Sequence, residues 1–183
     1  MGAVITRPMT IEEFDKLDLP NDREWELHCG ELAEMSFPDL VHKHLQHRLF
    51  QIFMRLFPRH DVLTEYPFEV AASNDKRSAD VAVVEGERAK RALQNRILEG
   101  TPELVVEVVS PSNSAEDLLE YRLLCLANQT LAFWVVYSKN NSIEVFHKDQ
   151  QWASYGINDS IPISLLGVEA SIPVRDIFAG ITL

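Results

Sequence analysis

The sequence predicts an α/β (α+β) fold, a sandwich around a mixed β-sheet flanked by helices, on three observations. Residues 78–84 and 103–109 form two short Val-rich runs bounded by turn or loop residues, the mark of buried strands. Leu45, Leu49, Ile52, Phe53 and Leu56 recur at helical spacing after Pro38-Asp39 and predict a long amphipathic helix, which Pro58 ends. The order helix, three strands, helix, strand fits such a sandwich.

Taken in order, residues 9–14 start a short helix, with Thr10 as N-cap and Glu13 as its capping-box partner. Residues 17–22 read as a turn. Residues 24–28 and 31–35 flank Cys29-Gly30 as a β-hairpin. After the long helix, residues 61–70 read as a strand and residues 73–76 as a turn before the strand that carries Asp80. Residues 86–101 are charged, with Gly at both ends, and read as a loop with some helix. The Glu107 strand follows, then a second helix over 112–128. Residues 133–137 and 143–147 pair through a turn at 139–142. Trp152, residues 161–163 and residues 172–174 suggest short closing strands, and residues 174–178 a docked helical turn. No internal repeat or low-complexity linker appears. The expectation is one domain over 1–183: helix and hairpin to 38, core over 39–137, closing strands over 138–183.

The chain has 183 residues, 46% hydrophobic and 25% charged, which is an ordinary globular composition with enough length for a full core. No run approaches the roughly 20 apolar residues of a membrane span. The N-terminus lacks the apolar core of a secretory signal, and Met1-Gly2 with Thr6 matches a myristoylation start only formally. Cys29 and Cys125 stand in unrelated contexts and build neither a metal knuckle nor a disulfide framework, so a reduced cytoplasm is expected. The net charge of −11 opposes nonspecific binding to nucleic acid, which depends on neutralising phosphates. Its distribution is uneven. Residues 1–41 and 97–183 each carry −7, whereas residues 42–96 carry +3 and four histidines, the one stretch suited to a polyanion. The alternative is a normally charged helix and loop inside an acidic protein.

Two carboxylates occupy strands that otherwise hold only hydrocarbon: Asp80 and Glu107. A charge there must be paired, neutralised or bound to a metal. Two acids on successive strands, followed by a Ser-Pro-Ser turn and a helix, suggest a divalent-metal site at one edge of the sheet. The alternative for each is a hydrated strand end or an ion pair with Arg.

Several motifs resemble the bacterial Uma2 family (DUF820) of the PD-(D/E)XK nuclease superfamily, over nearly the whole length. The start at Met9-Thr10-Ile11-Glu12-Glu13-Phe14 is similar. Residues 25–32 resemble the family's "YEL-x-x-GEL" hairpin, and His42, Leu45 and Leu49 match its first helix. Residues 77–84 resemble "R-x-PDVAVV". Residues 102–112 match "P-x-LVVEVLSPS" nearly letter for letter, and this match is the specific one.

The resemblance implies a restriction-endonuclease-like core and Mg2+-dependent hydrolysis of DNA phosphodiester bonds, with Mn2+ as the substitute ion. Asp80 and Glu107 are then the metal ligands, with the Val108 carbonyl as a third oxygen. His42 and Glu31 are the candidate cleft-lining residues. DNA is the implied partner, and a homodimer is compatible with the chain. Two positions depart from the pattern. Ala79 replaces the proline beside Asp80. The lysine that positions or polarises water is missing: Val109 stands two residues after Glu107, and Tyr121 stands on the following helix, four residues after Asp117. Arg122 is adjacent, but one helical step turns a side chain by about 100°, and Arg cannot act as a base. Tyr121 and Arg122 are therefore imperfect substitutes. The competing expectation is a non-catalytic member of the fold that serves as a binding or assembly module.

Overall fold

The structure is a computed structural model that describes residues 7–110 and 114–181. Pro111 and Ser112 of the specific motif, residues 112–113 at the expected start of the second helix, and the N-terminal Met1-Gly2 with Thr6 lie outside the described residues. The N-terminal helix α1 (Ile11–Phe14) has the expected capping box between Thr10 and Glu13. Strands β1 (Glu24–His28) and β2 (Glu31–Met35) form the hairpin, turning through Cys29 and Gly30, both with positive φ. A side chain at Gly30 would meet Pro8 Cβ at 2.4 Å, so the turn requires glycine on two counts.

The long helix is α2 (Leu40–Leu56), capped by the Asp39 side chain, which accepts the His42 N–H at 2.8 Å. Strand β3 (Asp61–Val70) leads through a 3-10 turn at Ala71–Ser73 into β4 (Asp75–Val84). Asp75 and Lys76, read from sequence as turn, already belong to the strand. Asn74, in the left-handed conformation, makes the reversal earlier. The region read as loop with some helix is a helix of ten residues, α3 (Gly86–Asn95), followed by the short β5 (Leu98–Glu99).

Strand β6 (Leu104–Val108) carries Glu107, and α4 (Ala115–Ala127) crosses over to β7 (Ala132–Tyr137), which pairs parallel to β6. Strands β8 (Ser142–His147) and β9 (Trp152–Tyr155) extend the sheet antiparallel. A separate hairpin of β10 (Ser160–Leu165) and β11 (Val168–Pro173) ends in the one-turn α5 (Val174–Ile177).

Among the described residues the main sheet has nine strands, in the order β2-β1-β4-β6-β7-β8-β9, with β3 branching from β4 and β5 pairing with β3. One face buries Leu45, Leu49 and Phe53 of α2 together with Trp134, Ile161 and Ile177. The other buries Tyr121 and Cys125 of α4 against Phe68, Val105 and Phe133. Leu104, Val106 and Val108 face the first layer and Val105 the second, the alternation expected of a strand buried on both sides.

The branching creates the site. Along one edge of β4, β1 pairs at its start (Leu27 with Lys76) and β6 pairs at its end (Val81, Ala82 and Val83 with Val106, Val105 and Leu104). Between them, around residues 78–80, no strand among the described residues completes the ladder, and the sheet forks.

Candidate functional site

Backbone polar groups at a fork need partners other than a neighbouring strand, and acids supply them. Glu26 on β1 accepts the Ser78 N–H at 2.8 Å. Glu107 on β6 accepts the Asp80 N–H at 3.3 Å, and the Asp80 carboxylate accepts the Val108 N–H at 2.7 Å. The Tyr121 hydroxyl donates to the Ser78 carbonyl at 3.3 Å. Asp80 and Glu107 are thus cross-latched, each carboxylate holding a backbone N–H beside the other acid.

The fork opens into a cleft of about 250 Å³. Asp80, Glu107, Val108 and His42 all line it, so the structure brings these four together. His42, in the first turn of α2, places Nε2 3.0 Å from Asp80 Oδ1, while its Nδ1 is buried with no hydrogen-bond partner among the described residues. Gln46, one turn further, donates to the same Oδ1 at 2.8 Å.

Among the described residues five carboxylates line the cleft: Glu24, Glu26, Glu65, Asp80 and Glu107. No Lys or Arg is among the described lining residues. Burial, and next the Asp80 charge, push the Glu107 carboxyl well above the usual carboxylate range. The fold therefore disfavours two bare charges here, and a cation would relieve both.

The donor set fits such an ion. A carboxylate offers about four lone-pair sites. Asp80 Oδ1 takes His42 and Gln46, and Oδ2 takes Val108 N–H, which leaves a site on Oδ2. Glu107 Oε1 takes one donor in the described contacts. Among the described residues no three His, Cys, Asp or Glu groups form an ion cage. Mg2+ does not need one, since it usually keeps several waters and binds through one or two carboxylates.

Three sequence expectations fall elsewhere. Glu31 is exposed at the turn end of the hairpin, opposite His28, and is not among the lining residues. The cleft meets the open end instead, where Glu26 reaches in. Arg122 stacks its guanidinium 3.9 Å from the ring centroid of Phe146 on β8 and does not line the cleft, because the helical step from Tyr121 carries it toward the sheet's far strands. Tyr121 is buried, stacked on Phe68 and edge-on to Phe133, with the Arg77 guanidinium 5.0 Å over its ring. Only its hydroxyl touches the fork. Burial, and then the Glu107 charge, raise the pKa of that hydroxyl, which stays neutral. Arg77 is itself engaged by Asp75 at 2.7 Å.

Glu65 also lines the cleft. Its backbone is left-handed (φ 50) in mid-strand, and the β3–β4 ladder skips the pair of residues 65 and 80. Gln46 was also missed, although a polar residue within the apolar stripe His42, Leu45, Leu49, Phe53 was a readable signal.

A family model described as "Uma2: Putative restriction endonuclease" matches residues 11–175. No curated protein matches the chain. Among solved structures, the crystal structure of "a putative nuclease belonging to DUF820 from Anabaena variabilis ATCC 29413" is similar with a TM-score of 0.80 at 19% identity. The match covers 94% of this chain and 98% of that one, and at this identity it bears on the fold.

Proposed function

Because the chain belongs to the Uma2 family, we propose that it is a divalent-metal-dependent endonuclease that hydrolyses phosphodiester bonds of DNA, with Asp80 and Glu107 as the ion's ligands and the Val108 carbonyl beside them. The observation that carries this reading is the convergence of Asp80 and Glu107 on one cleft in which Glu107 is held toward its neutral form. The chemistry a divalent ion supplies when bound is charge stabilisation at the phosphoryl oxygens and activation of water. The protein's own part is to hold the two carboxylates at fixed separation through the cross-latch and to present them in a cleft that Glu26 also lines, with Glu26 and Tyr121 satisfying the backbone of Ser78.

The same geometry implies weak catalysis. Among the described residues no ammonium or guanidinium lines the cleft, and Tyr121 brings a neutral hydroxyl. Loss of one preorganised charge-stabilising group typically lowers a rate by about 100–1000-fold. That absence favours the second reading, a non-catalytic member that binds a polyanion through a bridging ion.

Plasmid nicking in Mg2+ and in Mn2+ separates the two. The endonuclease reading expects slow nicking by the wild type that disappears in Asp80→Ala. Tyr121→Lys, which puts an ammonium beside Glu107, should raise the rate. No nicking by the wild type or by Tyr121→Lys leaves the non-catalytic reading. Nicking that survives Asp80→Ala contradicts both assignments of the site.

A further inference from the structure

Gln46 is 2% exposed and stands on the apolar stripe of α2, where a leucine would pack as well. Its Nε2 donates to Asp80 Oδ1 at 2.8 Å and to Glu65 Oε1 at 2.7 Å. A primary amide nitrogen carries two hydrogens, so both are used, and both go to carboxylates. Glu65 Oε1 is anchored from its other side by Lys43 Nζ at 2.6 Å. Glu65 departs from strand geometry here, at a positive φ of 50° that non-glycine residues rarely adopt. Lys43, Glu65 and Gln46 thus form a continuous arm that ends on Asp80.

We propose that Gln46 is the positioning residue of the site: its amide, tied back to Glu65 and Lys43, holds the Asp80 carboxylate so that Oδ2 stays on the β6 side of the cleft, toward Glu107. The inference rests on the reading of Asp80 as an ion ligand. The Gln46 nitrogen lies within 2.8 Å of two like charges and keeps them together. Without it Asp80 and Glu65 repel, Asp80 swings from Val108, and Oδ2 loses its place beside Glu107.

The test uses Gln46→Met, which keeps length and bulk but has no donor. The first readout is hydrogen exchange at the Val108 amide in ion-free protein, followed by NMR, since that N–H is bonded to Asp80 Oδ2. It should speed up about tenfold or more, because a hydrogen bond to a charged acceptor is lost, while the Val106 amide stays protected. The second is calorimetric titration with Mn2+, whose affinity should fall about 10–100-fold, the usual effect of removing a group that orients a ligand. Glu65→Gln, which still offers an acceptor to both donors, should keep Val108 protected. Lys43→Met, at a half-exposed position, should shift both readouts the same way by a smaller factor, and it decides the matter if Gln46→Met does not fold. Val108 exchange unchanged in Gln46→Met, or in Lys43→Met should that variant have to decide, overturns the proposal, as does unchanged Mn2+ affinity. If the wild type itself binds no Mn2+, the ion-site reading fails, and the exchange measurement still decides whether Gln46 holds Asp80.

Discussion

Glu107 has two tasks that pull in opposite directions. Its Oε1 satisfies the Asp80 N–H that the fork leaves without a strand partner, which favours any acceptor at this position. Its charge is disfavoured by burial and by Asp80. Glu107→Gln keeps the acceptor and removes the charge. The folded pKa is raised, so the native state binds the proton more tightly than the unfolded chain, and ion-free stability falls as pH climbs from the ordinary carboxylate value of about 4.3 through the raised folded value. The variant should therefore match wild type at low pH and become the more stable protein across that window, in urea titrations run with chelator. A variant less stable at neutral pH would mean that the carboxylate is held by an ion pair and that its charge is structural. A residue kept against its own stability is the expected signature of function.

At the scale of elements, the fork in β4 and the two faces of α4 decide which side chains reach the cleft. Val106 lies fully buried on the central strand, so Val106→Ala should lower unfolding free energy by about 1–3 kcal/mol through transfer and cavity terms. Arg122→Ala should lower it by only about 0.5–1 kcal/mol, the worth of a cation over an aromatic face, and should leave ion binding and nicking unchanged; a loss of activity there would restore Arg122 to the site. The elements were legible where periodicity is strong: the stripe of α2, the alternation of β6, the hairpin at Cys29-Gly30. Helix α3 was less so, because Gly86–Asn95 is mostly charged and buries only Ala89, which leaves no stripe to read. The start of β4 is polar, and Asp75 reads as turn although it is buried in an ion pair with Arg77. The fork itself is a non-local fact. Nothing near Ser78 says that β1 and β6 share one edge, so Glu26 and Glu65 could not be placed at the cleft, whereas Asp80 and Glu107 could, because a charge inside a Val-rich run is a local signal.

Over the whole molecule, charge is the governing quantity. A chain of net charge −11, whose candidate cleft is lined by five carboxylates among the described residues, should repel DNA unless cations intervene. DNA binding should therefore be undetectable in chelator and appear with Ca2+ or Mg2+, as a gel-shift or anisotropy titration would read. Binding in chelator that weakens steeply with salt would instead place the DNA on a basic surface away from the cleft. The central claim is that Asp80 and Glu107 form one ion site, and calorimetric titration of Mn2+ into the wild-type protein and Asp80→Ala tests it most directly. The account predicts saturable binding at millimolar Mn2+ to the wild type, a matching rise in melting temperature, and neither in Asp80→Ala. Equal binding by both proteins, or no binding by the wild type, would contradict it.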